Sequence, residues 1–287
     1  MGPTAHILPC GTRLHLQHGP SDLIVFAEGD REAAYRAAKE RFDTIISEVM
    51  SELPILRQII SPLSIAPKGA VARRMYQAAN VFGRDQLVTP MAAVAGAIAD
   101  EVLAAMTAKT KLRRAYVNNG GDIALHLAPG TSFSTAMMGH DNTRLGTVEI
   151  AAENPVRGIA TSGRHGRSLS LGVADSVTAL AGTAAMADVA ATLIANAVDL
   201  PDHPGIRRCP ACDVIDDSDL RDLPVVVECD KLSLDEAAEA LHNGRRRAEC
   251  FVSAGHIAGA GLFLQGRSTA TGTNPCLSLD DPETMNA

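Results

Sequence analysis

Two alanine-rich segments, residues 90–108 and 182–198, constrain the fold of this chain more than any other feature. The first opens with Thr-Pro, which is typical of a helix start because threonine is a favoured N-cap and proline fits the first helical position. Most side chains in these first turns are small, so another backbone or a ligand can come very close. Each segment carries one aspartate near its middle, Asp100 and Asp188. This likeness leaves an internal duplication open.

The composition indicates a core built from aliphatic side chains. Apolar residues make up 46% of the 287 positions, but aromatic residues make up only 3% and tryptophan is absent. Ala, Val, Ile and Leu must therefore fill the core, which favours close packing of helices on a sheet. Few aromatic side chains, a net charge of −7 and the lack of a long basic run argue against the stacking and phosphate-binding surfaces of nucleic-acid binders. We expect no nucleic-acid partner.

The order of the predicted elements indicates the fold class. Short apolar runs separated by turn residues predict several strands in series, interrupted by helices. This order indicates an α+β fold with a mainly antiparallel sheet packed with the alanine-rich helices. We expect one domain over residues 1–265, a loop over the Pro- and Asp-rich residues 199–224, and a disordered tail over the polar residues 266–287.

The longest apolar stretches contain Asp100 and Asp188, so no segment is predicted to span a bilayer. The first twenty residues lack a basic start followed by an apolar core, which is the pattern of a secretion signal. We therefore expect a cytoplasmic protein without a membrane partner. The small-residue helices are compatible with a homodimer but do not require one.

The segment 118–122, Asn-Asn-Gly-Gly-Asp, follows a predicted strand. Two glycines at a strand end allow positive φ and a close approach of the backbone to a ligand. Asn-Gly is also the commonest signal of a plain hairpin turn. The segment leaves both interpretations open, with Asn119, Gly120, Gly121 and Asp122 as candidate binding residues.

The segment 161–167, Thr-Ser-Gly-Arg-His-Gly-Arg, combines hydroxyls, glycines, two arginines and a histidine at a predicted strand end. Exposed backbone N–H groups and guanidinium groups suit phosphate or carboxylate oxygens. A charged surface loop is the alternative, but the density of small and anion-binding residues favours a site for a small anionic ligand. The candidate binding residues are Thr161, Ser162, Gly163, Arg164 and Arg167.

Asp188 and Thr192 are four residues apart in the second alanine-rich segment. At this spacing both side chains lie on one face of a helix. A carboxylate and a hydroxyl make a plausible hard-oxygen site for Mg²⁺. A partly buried hydrogen bond between the two side chains, with no metal, is the alternative, and the spacing by itself favours that alternative.

The isolated histidines and the one close cysteine pair give little indication of a functional role. His126, His140 and His256 receive no role because a lone histidine is usually a surface residue or a hydrogen-bonded structural one. Cys209 and Cys212 lack the second Cys or His pair that a zinc site usually needs. Two reduced loop cysteines are therefore favoured over a metal or redox site.

The glycine turn, the 161–167 loop and the Asp188/Thr192 pair, in this order, resemble the ApbE superfamily, whose best-known members are FAD:protein FMN transferases. The resemblance extends from about residue 90 to residue 198 and includes the small-residue turn at Ala95 and Gly96. The chain is most similar to an uncharacterised cytoplasmic UPF branch of this superfamily. The segments that carry this finer similarity are 90–96, 119–122, 162–168, 174–177 and 217–220. The resemblance implies an ApbE-like, T-fold-like architecture.

The same resemblance implies FAD or FMN as the ligand and Mg²⁺ as a cofactor. It makes Asp188 and Thr192 the expected Mg²⁺ ligands, with a backbone carbonyl near Ala92 as a third. The glycine turn and residues 161–163 would contact the flavin or its diphosphate. The metal ion and an arginine would neutralise the diphosphate and stabilise the departing AMP.

Two departures from the superfamily pattern bear on transfer chemistry. Ala95 stands where the family has a lysine, and the His-x-x-Asp-Pro segment, to which the catalytic base belongs, is absent. His165 or Asp175 could substitute as the base, so both are candidate catalytic residues. The alternatives to a flavin transferase are a binding or accessory protein that lost the transfer activity, and an enzyme for another anionic heterocycle such as a pterin.

Overall fold

A computed structural model describes residues 2–83, 86–272 and 276–280 of the chain. The α-helices in these ranges are α1 (Arg31–Ser51), α2 (Leu53–Leu56), α3 (Ala70–Phe82), α4 (Val94–Lys109), α5 (Ala184–Ala197), α6 (Ala211–Val214) and α7 (Leu234–Ser253), and a 3-10 turn, Pro90–Ala93, precedes α4. The strands are β1 (Thr4–Ile7), β2 (Arg13–His18), β3 (Ser21–Gly29), β4 (Leu112–Asn119), β5 (Asp122–Leu127), β6 (Ser132–Met138), β7 (Arg144–Ala151), β8 (Gly158–Ser162), β9 (Ser176–Ala181), β10 (Ile206–Pro210), β11 (Pro224–Cys229), β12 (Gly259–Leu264), β13 (Arg267–Gly272) and β14 (Leu277–Leu279). Helices and antiparallel strands together make an α+β protein, as predicted.

The chain divides into two compact units that each combine several segments. The first unit comprises residues 1–133, 150–160 and 181–189, and the second comprises residues 134–149, 161–180 and 190–287. The domain boundary at residue 265 and an internal duplication stay predictions.

The first unit has an antiparallel sheet in the order β1-β2-β3-β4-β5, with the start of β8 beside β5. Helix α1 begins where Asp30 Oδ1 accepts a hydrogen bond from Ala33 N–H, which makes Asp30 the N-cap. Its buried face includes Ala38, Phe42 and Ile45, at helical spacing. Helix α4 packs against α1, β4 and β5, so small and aliphatic side chains form this core.

In the second unit, β12 lies between β9 and β13, and all six of its residues are buried. Helix α7 packs against β12 and β13. It begins with a capping box, in which Ser233 accepts from Glu236 N–H and the Glu236 carboxylate accepts from Ser233 N–H. A hairpin of β10 and β11 and a three-stranded sheet, β14-β7-β6, complete the unit.

Two predictions about the polar segments were wrong. Residues 267–272 form β13, which pairs with β12 along its whole length, and residues 277–279 form β14 beside β7. The tail was misassigned because these strands have polar side chains, while their partners supply the backbone hydrogen bonds that hold them. Residues 273–275 and 281–287 lie outside the described ranges. The loop predicted over 199–224 contains β10 and α6.

The prediction that no segment is long and apolar enough to span a bilayer was also wrong. Residues 90–109 form a 20-residue helical segment with a mean hydropathy of 1.5, which is apolar enough for a span. In the first unit this segment packs against α1, α3 and the sheet. Its carboxylates at Asp100 and Glu101 accept hydrogen bonds from protein groups. A buried core helix passes the same hydropathy test, so the segment does not indicate a membrane partner.

Candidate functional site

The glycine segment forms the two-residue hairpin turn between β4 and β5. Asn119 and Asp122 are register partners, and Gly120 and Gly121 lie between them with φ of 67° and 114°. Side chains other than glycine rarely adopt such angles, so both glycines are required by the turn. Asn118 Oδ1 accepts from Gly121 N–H at 2.8 Å. The hairpin interpretation is confirmed, and a ligand contact at this turn stays a prediction.

Asn119 connects the glycine turn to the start of α4. Asn119 is buried, with only 2% of its surface exposed, and its Nδ2 donates to the Ala95 carbonyl at 3.1 Å. Its Oδ1 accepts from Asp22 N–H at 3.3 Å. Both ends of the amide are therefore used within the protein. Asn119 positions the turn, and the backbone of Gly120 and Gly121 remains the part that a ligand can approach.

Helices α4 and α5 contact each other where both have small residues. A Cβ added at Gly96 would lie 2.3 Å from the Ala184 carbonyl oxygen, a distance that real structures do not tolerate. The sequence leaves open whether a backbone or a ligand approaches the small-residue turn of α4. The structure places the backbone of α5 there.

Two aspartates hold this contact reciprocally. Asp100, on α4, accepts from Ala184 N–H at 3.1 Å and Ala185 N–H at 2.9 Å, at the start of α5. Asp188, on α5, accepts from Gly96 N–H at 2.9 Å, in the first turn of α4. Each carboxylate thus satisfies N–H groups at the positive end of the other helix. The sequence shows both aspartates, but only the tertiary structure shows that each one caps the partner helix.

The electrostatics of this group disfavour its own negative charge. Burial raises the pKa of Asp188 well above its usual range, and the nearby carboxylates of Asp122 and Asp100 raise it further, against the lowering effect of the Gly96 N–H. Burial likewise raises the pKa of Asp100. A nearby positive charge would stabilise the ionised forms of these neighbouring, buried carboxylates. Hard carboxylate oxygens suit Mg²⁺, so the residues present fit the implied cation.

The remaining predicted metal ligands lie close to Asp188 in the chain or in the first unit. Thr192 follows Asp188 by one helical turn on α5 and is half-buried, and Ala92 lies in the 3-10 turn before α4. Within the described ranges, no three His, Cys, Asp or Glu side chains surround one point. A cation at Asp188 would therefore need hydroxyl, carbonyl or ligand oxygens as well. This metal site stays a prediction.

The predicted anion loop, residues 161–167, lies in the second unit at the end of β8. Thr161 Oγ1 lies 3.2 Å from Thr178 Oγ1 on β9. A Cβ added at Gly163 would lie 2.4 Å from the Asp175 carbonyl oxygen, so this position needs glycine. Arg164 N–H donates to the Ala174 carbonyl at 2.9 Å. Ser162 is half-buried, whereas Arg167 is exposed on the turn.

Asp175 is the centre of a hydrogen-bonded group at this loop. Its Oδ1 accepts from Arg164 Nε at 3.0 Å and Nη2 at 2.8 Å, and lies 3.2 Å from His165 Nε2. Its Oδ2 accepts a short hydrogen bond from Gln265 N–H. Because both oxygens are engaged, Asp175 is better suited to position Arg164 and His165 than to remove a proton. Of the two predicted bases, the geometry favours His165.

His165 has the properties of a neutral imidazole. Burial lowers its pKa, and the charges of Arg164 and His140 lower it further, although Asp175 acts in the opposite direction. When Nε2–H donates to Asp175, Nδ1 is left as the acceptor nitrogen. A neutral imidazole oriented by a carboxylate is a suitable general base near neutral pH.

His140 joins this group although its sequence surroundings do not mark it as a site residue. Its ring stacks on His165, with centroids 3.8 Å apart and an interplanar angle of 16°. It lies in the turn between β6 and β7, distant in sequence from the 161–167 loop. No local pattern marks it, since the two rings meet only through the fold of the second unit.

The structure therefore assigns the predicted site residues to two groups. Ala92, the 119–122 turn and Asp188 belong to the first unit. The 161–167 loop, Asp175 and Thr192 belong to the second. A single pocket that includes both groups stays a prediction.

Comparison with known proteins gives a family and several relatives. The family described as AbpE bacteria matches residues 5–270. A UPF0280 protein of Methanosphaerula palustris is 32% identical over 202 residues, which cover 68% of this chain and 79% of the relative. A UPF0280 protein of Methanopyrus kandleri is 35% identical over 162 residues, which cover 56% of this chain and 63% of the relative. For this relative and for one from Methanothermobacter thermautotrophicus, where 54% is covered, the match spans less than two thirds of the relative's length.

A solved structure also aligns with most of this chain. The flavin transferase ApbE from Vibrio cholerae matches 94% of this chain and 98% of its own chain, with 12% sequence identity and a TM-score of 0.49.

Proposed function

Because the chain belongs to the family described as AbpE bacteria, which matches it over residues 5–270, we propose that it binds an anionic, nucleotide-type ligand of the flavin class together with Mg²⁺. FAD and FMN are the ligands that the resemblance to flavin transferases implies. A cytoplasmic location and a homodimer belong to the same proposal.

The observation that carries the proposal is the environment of Asp188. Its carboxylate is held by the Gly96 N–H at the start of α4, while burial, Asp122 and Asp100 disfavour its ionised form. A cation bound there would offset this repulsion, and a diphosphate would supply further oxygen ligands. Mg²⁺ usually binds through one or two carboxylates together with phosphate oxygens, so this donor set is suitable.

The chain's own residues would take separate roles around such a ligand. Asp188, with the Thr192 hydroxyl and a carbonyl near Ala92, would hold the cation, which when bound supplies positive charge to a diphosphate. The backbone of Gly120 and Gly121 would allow close approach of the ligand. Residues 161–163 and Arg167 are proposed to contact its anionic part.

The proposed chemistry is transfer of the FMN part of FAD to an acceptor hydroxyl, with His165 as the base. The hydroxyl oxygen would form a bond to phosphorus while the diphosphate P–O bond breaks and AMP departs. His165 Nδ1 would accept the proton of the attacking hydroxyl, and Asp175 would hold the ring through Nε2. Arg164 is engaged with the same carboxylate and would need to exchange partners before it could bind a phosphate.

The test of ligand binding is equilibrium dialysis of the full-length chain against FAD, with Mg²⁺ or with EDTA. We expect binding that is at least tenfold tighter with Mg²⁺. Asp188→Asn should abolish this difference, because the amide cannot supply the anionic ligand. Asp43→Asn removes an exposed carboxylate of α1 and is the matched control. Absence of FAD binding in the wild type would contradict the proposal, and a Mg²⁺ effect that survives in Asp188→Asn would remove the metal role.

A binding protein without transfer activity is the second candidate. It is favoured by the absence of the His-x-x-Asp-Pro segment and by the engagement of both Asp175 oxygens. Incubation with FAD, Mg²⁺ and a threonine-containing acceptor distinguishes the two. Covalent flavin on the acceptor, lost in His165→Ala, supports transfer. Binding without covalent product supports the second candidate, and a co-purified pterin identified by mass spectrometry would replace flavin in the proposal.

A further inference from the structure

We propose that His6 and His15 form a two-histidine site for a transition-metal ion such as Zn²⁺, Ni²⁺ or Cu²⁺, with Asp22 supporting His15. The three residues lie on β1, β2 and β3 of the first unit. The site does not depend on the proposed flavin function.

The strand register brings the two imidazoles to one place. His6 and His15 are direct partners in the antiparallel pairing of β1 and β2, so their side chains lie on the same face. His6 Nε2 lies 3.3 Å from His15 Nδ1, and the rings are nearly perpendicular, at 80°, with centroids 4.7 Å apart.

This nitrogen separation suits a shared metal ion. Imidazole nitrogens bind Zn²⁺ at about 2.0–2.1 Å. Two nitrogens at the observed separation can both reach that distance from one ion, with an N–metal–N angle of roughly 105°, which is near the tetrahedral value. In the metal-free protein, the proton of a hydrogen bond between the two nitrogens can occupy this place. A metal ion would replace that proton.

Asp22 fixes the chemical state of His15. Its Oδ1 lies 2.7 Å from His15 Nε2, so this nitrogen carries the proton and donates it to the carboxylate. The lone pair of His15 is then on Nδ1, the atom that faces His6. Most metal-binding histidines donate their other ring N–H to a carboxylate, a backbone carbonyl or water, and this partner fixes the tautomer and the orientation of the ring.

The donor set determines the kind of metal. Two neutral imidazoles favour Zn²⁺, Ni²⁺ and Cu²⁺, whereas Mg²⁺ prefers oxygen ligands, so this site would be chemically distinct from the one proposed at Asp188. The His15 side chain is 20% exposed and that of Asp22 is 53% exposed, so water can complete the coordination. In the described ranges no third His, Cys, Asp or Glu side chain joins the pair. The site is therefore an open chelate on the sheet surface.

Calorimetric titration of the chelator-treated full chain with Ni²⁺ tests the proposal. We expect one site in the wild type and at least a tenfold loss of affinity in His6→Ala and in His15→Ala. Asp22→Asn should weaken binding about tenfold, because the supporting carboxylate is lost. His242→Ala removes an exposed histidine of α7 and is the matched control. Affinity should fall as the pH decreases, since protonated imidazole cannot bind a metal.

The outcomes separate this site from the proposed function. Unchanged Ni²⁺ affinity and stoichiometry in His6→Ala would overturn the proposal, as would the absence of a site in the wild type. His6 is exposed on an edge strand, so circular dichroism and the Tm of His6→Ala should match those of the wild type. FAD binding in the presence of Mg²⁺ should be unchanged in His6→Ala, so either proposal can fail without the other.

Discussion

At the scale of single residues, Asp188 is subject to two opposing energetic effects. Its carboxylate accepts a hydrogen bond that holds the start of α4, and its charge is disfavoured by burial and by Asp122 and Asp100. A raised pKa in the folded state means that the stabilising form is the protonated one. The stability that the Asp188 carboxyl contributes is therefore present at low pH and is lost as the pH rises through its folded-state pKa.

Asp188→Asn should stabilise the metal-free protein at pH 7. Asparagine keeps an oxygen to accept from Gly96 N–H but carries no charge, so we expect a gain on the order of 1 kcal/mol, or a Tm increase of about 2–4 °C. Thermal unfolding in EDTA is the measurement. The Tm difference should shrink as the pH falls, because the carboxyl of the unfolded wild type then also takes up its proton and the cost of neutralising it on folding disappears, and Mg²⁺ should raise the Tm of the wild type only. A lower Tm for the variant at pH 7 would show that the charged hydrogen bond outweighs the repulsion.

His165 offers a second test at this scale, because its surroundings lower its pKa. Burial is the largest cause, and the stacked His140 contributes to the burial and to the charge. His140→Ala should therefore raise the pKa of His165 towards 6.5, measured by NMR titration of the imidazole C–H signals. His242→Ala should leave it unchanged. If removal of His140 has no effect on the titration, the stacked geometry does not persist in solution.

At the scale of helices, small residues determine how closely α4 and α5 approach. Gly96 faces the Ala184 carbonyl, and Asp100 and Asp188 each bind the start of the partner helix. The small residues thus allow close backbone contact, and this contact brings each aspartate within hydrogen-bonding distance of the partner helix. A larger side chain at the contact would separate the helices and lengthen both sets of hydrogen bonds.

Gly96→Ala should destabilise the protein strongly. The new Cβ would meet backbone atoms of α5, which cannot rotate away, so we expect a loss of about 2 kcal/mol or more. Gly182→Ala is the matched control, because a Cβ there meets no atom within 4 Å and should have little effect. Chemical denaturation of both variants gives the comparison. Equal stability of the two would show that the helices do not pack as described.

At the scale of the whole molecule, the polar C-terminal strands complete the second unit. β13 pairs with every residue of the buried β12, and β14 pairs with β7. Removal of these strands would leave the β12 backbone unpaired on one side. An unpaired, apolar strand edge promotes aggregation.

A chain truncated after Gln265 should fail to fold into a soluble protein, because it lacks β13 and β14. A chain truncated after Asp280 keeps both strands and should retain the wild-type Tm. Soluble yield and size-exclusion chromatography measure the difference. A monomeric, cooperatively unfolding protein from the shorter chain would mean that residues after 265 are dispensable, as their polar composition predicts.

Local sequence chemistry determined the parts of the fold whose signals lie within a few residues. Asp30 and Ser233 mark the starts of α1 and α7, and Gly120 and Gly121 mark a hairpin, because caps and tight turns depend on adjacent backbone groups. The scarcity of aromatic residues likewise determined an aliphatic core. The family resemblance was carried by short motifs of the same local kind.

Tertiary structure decided what those residues do. The capping of α4 by Asp188 and the stacking of His140 on His165 join residues far apart in the chain. The polar strand β13 was hidden for the same reason, since its partner supplies the hydrogen bonds. Hydrogen bonding and burial between distant segments depend on how the chain folds back on itself, and no local pattern of side chains records that path.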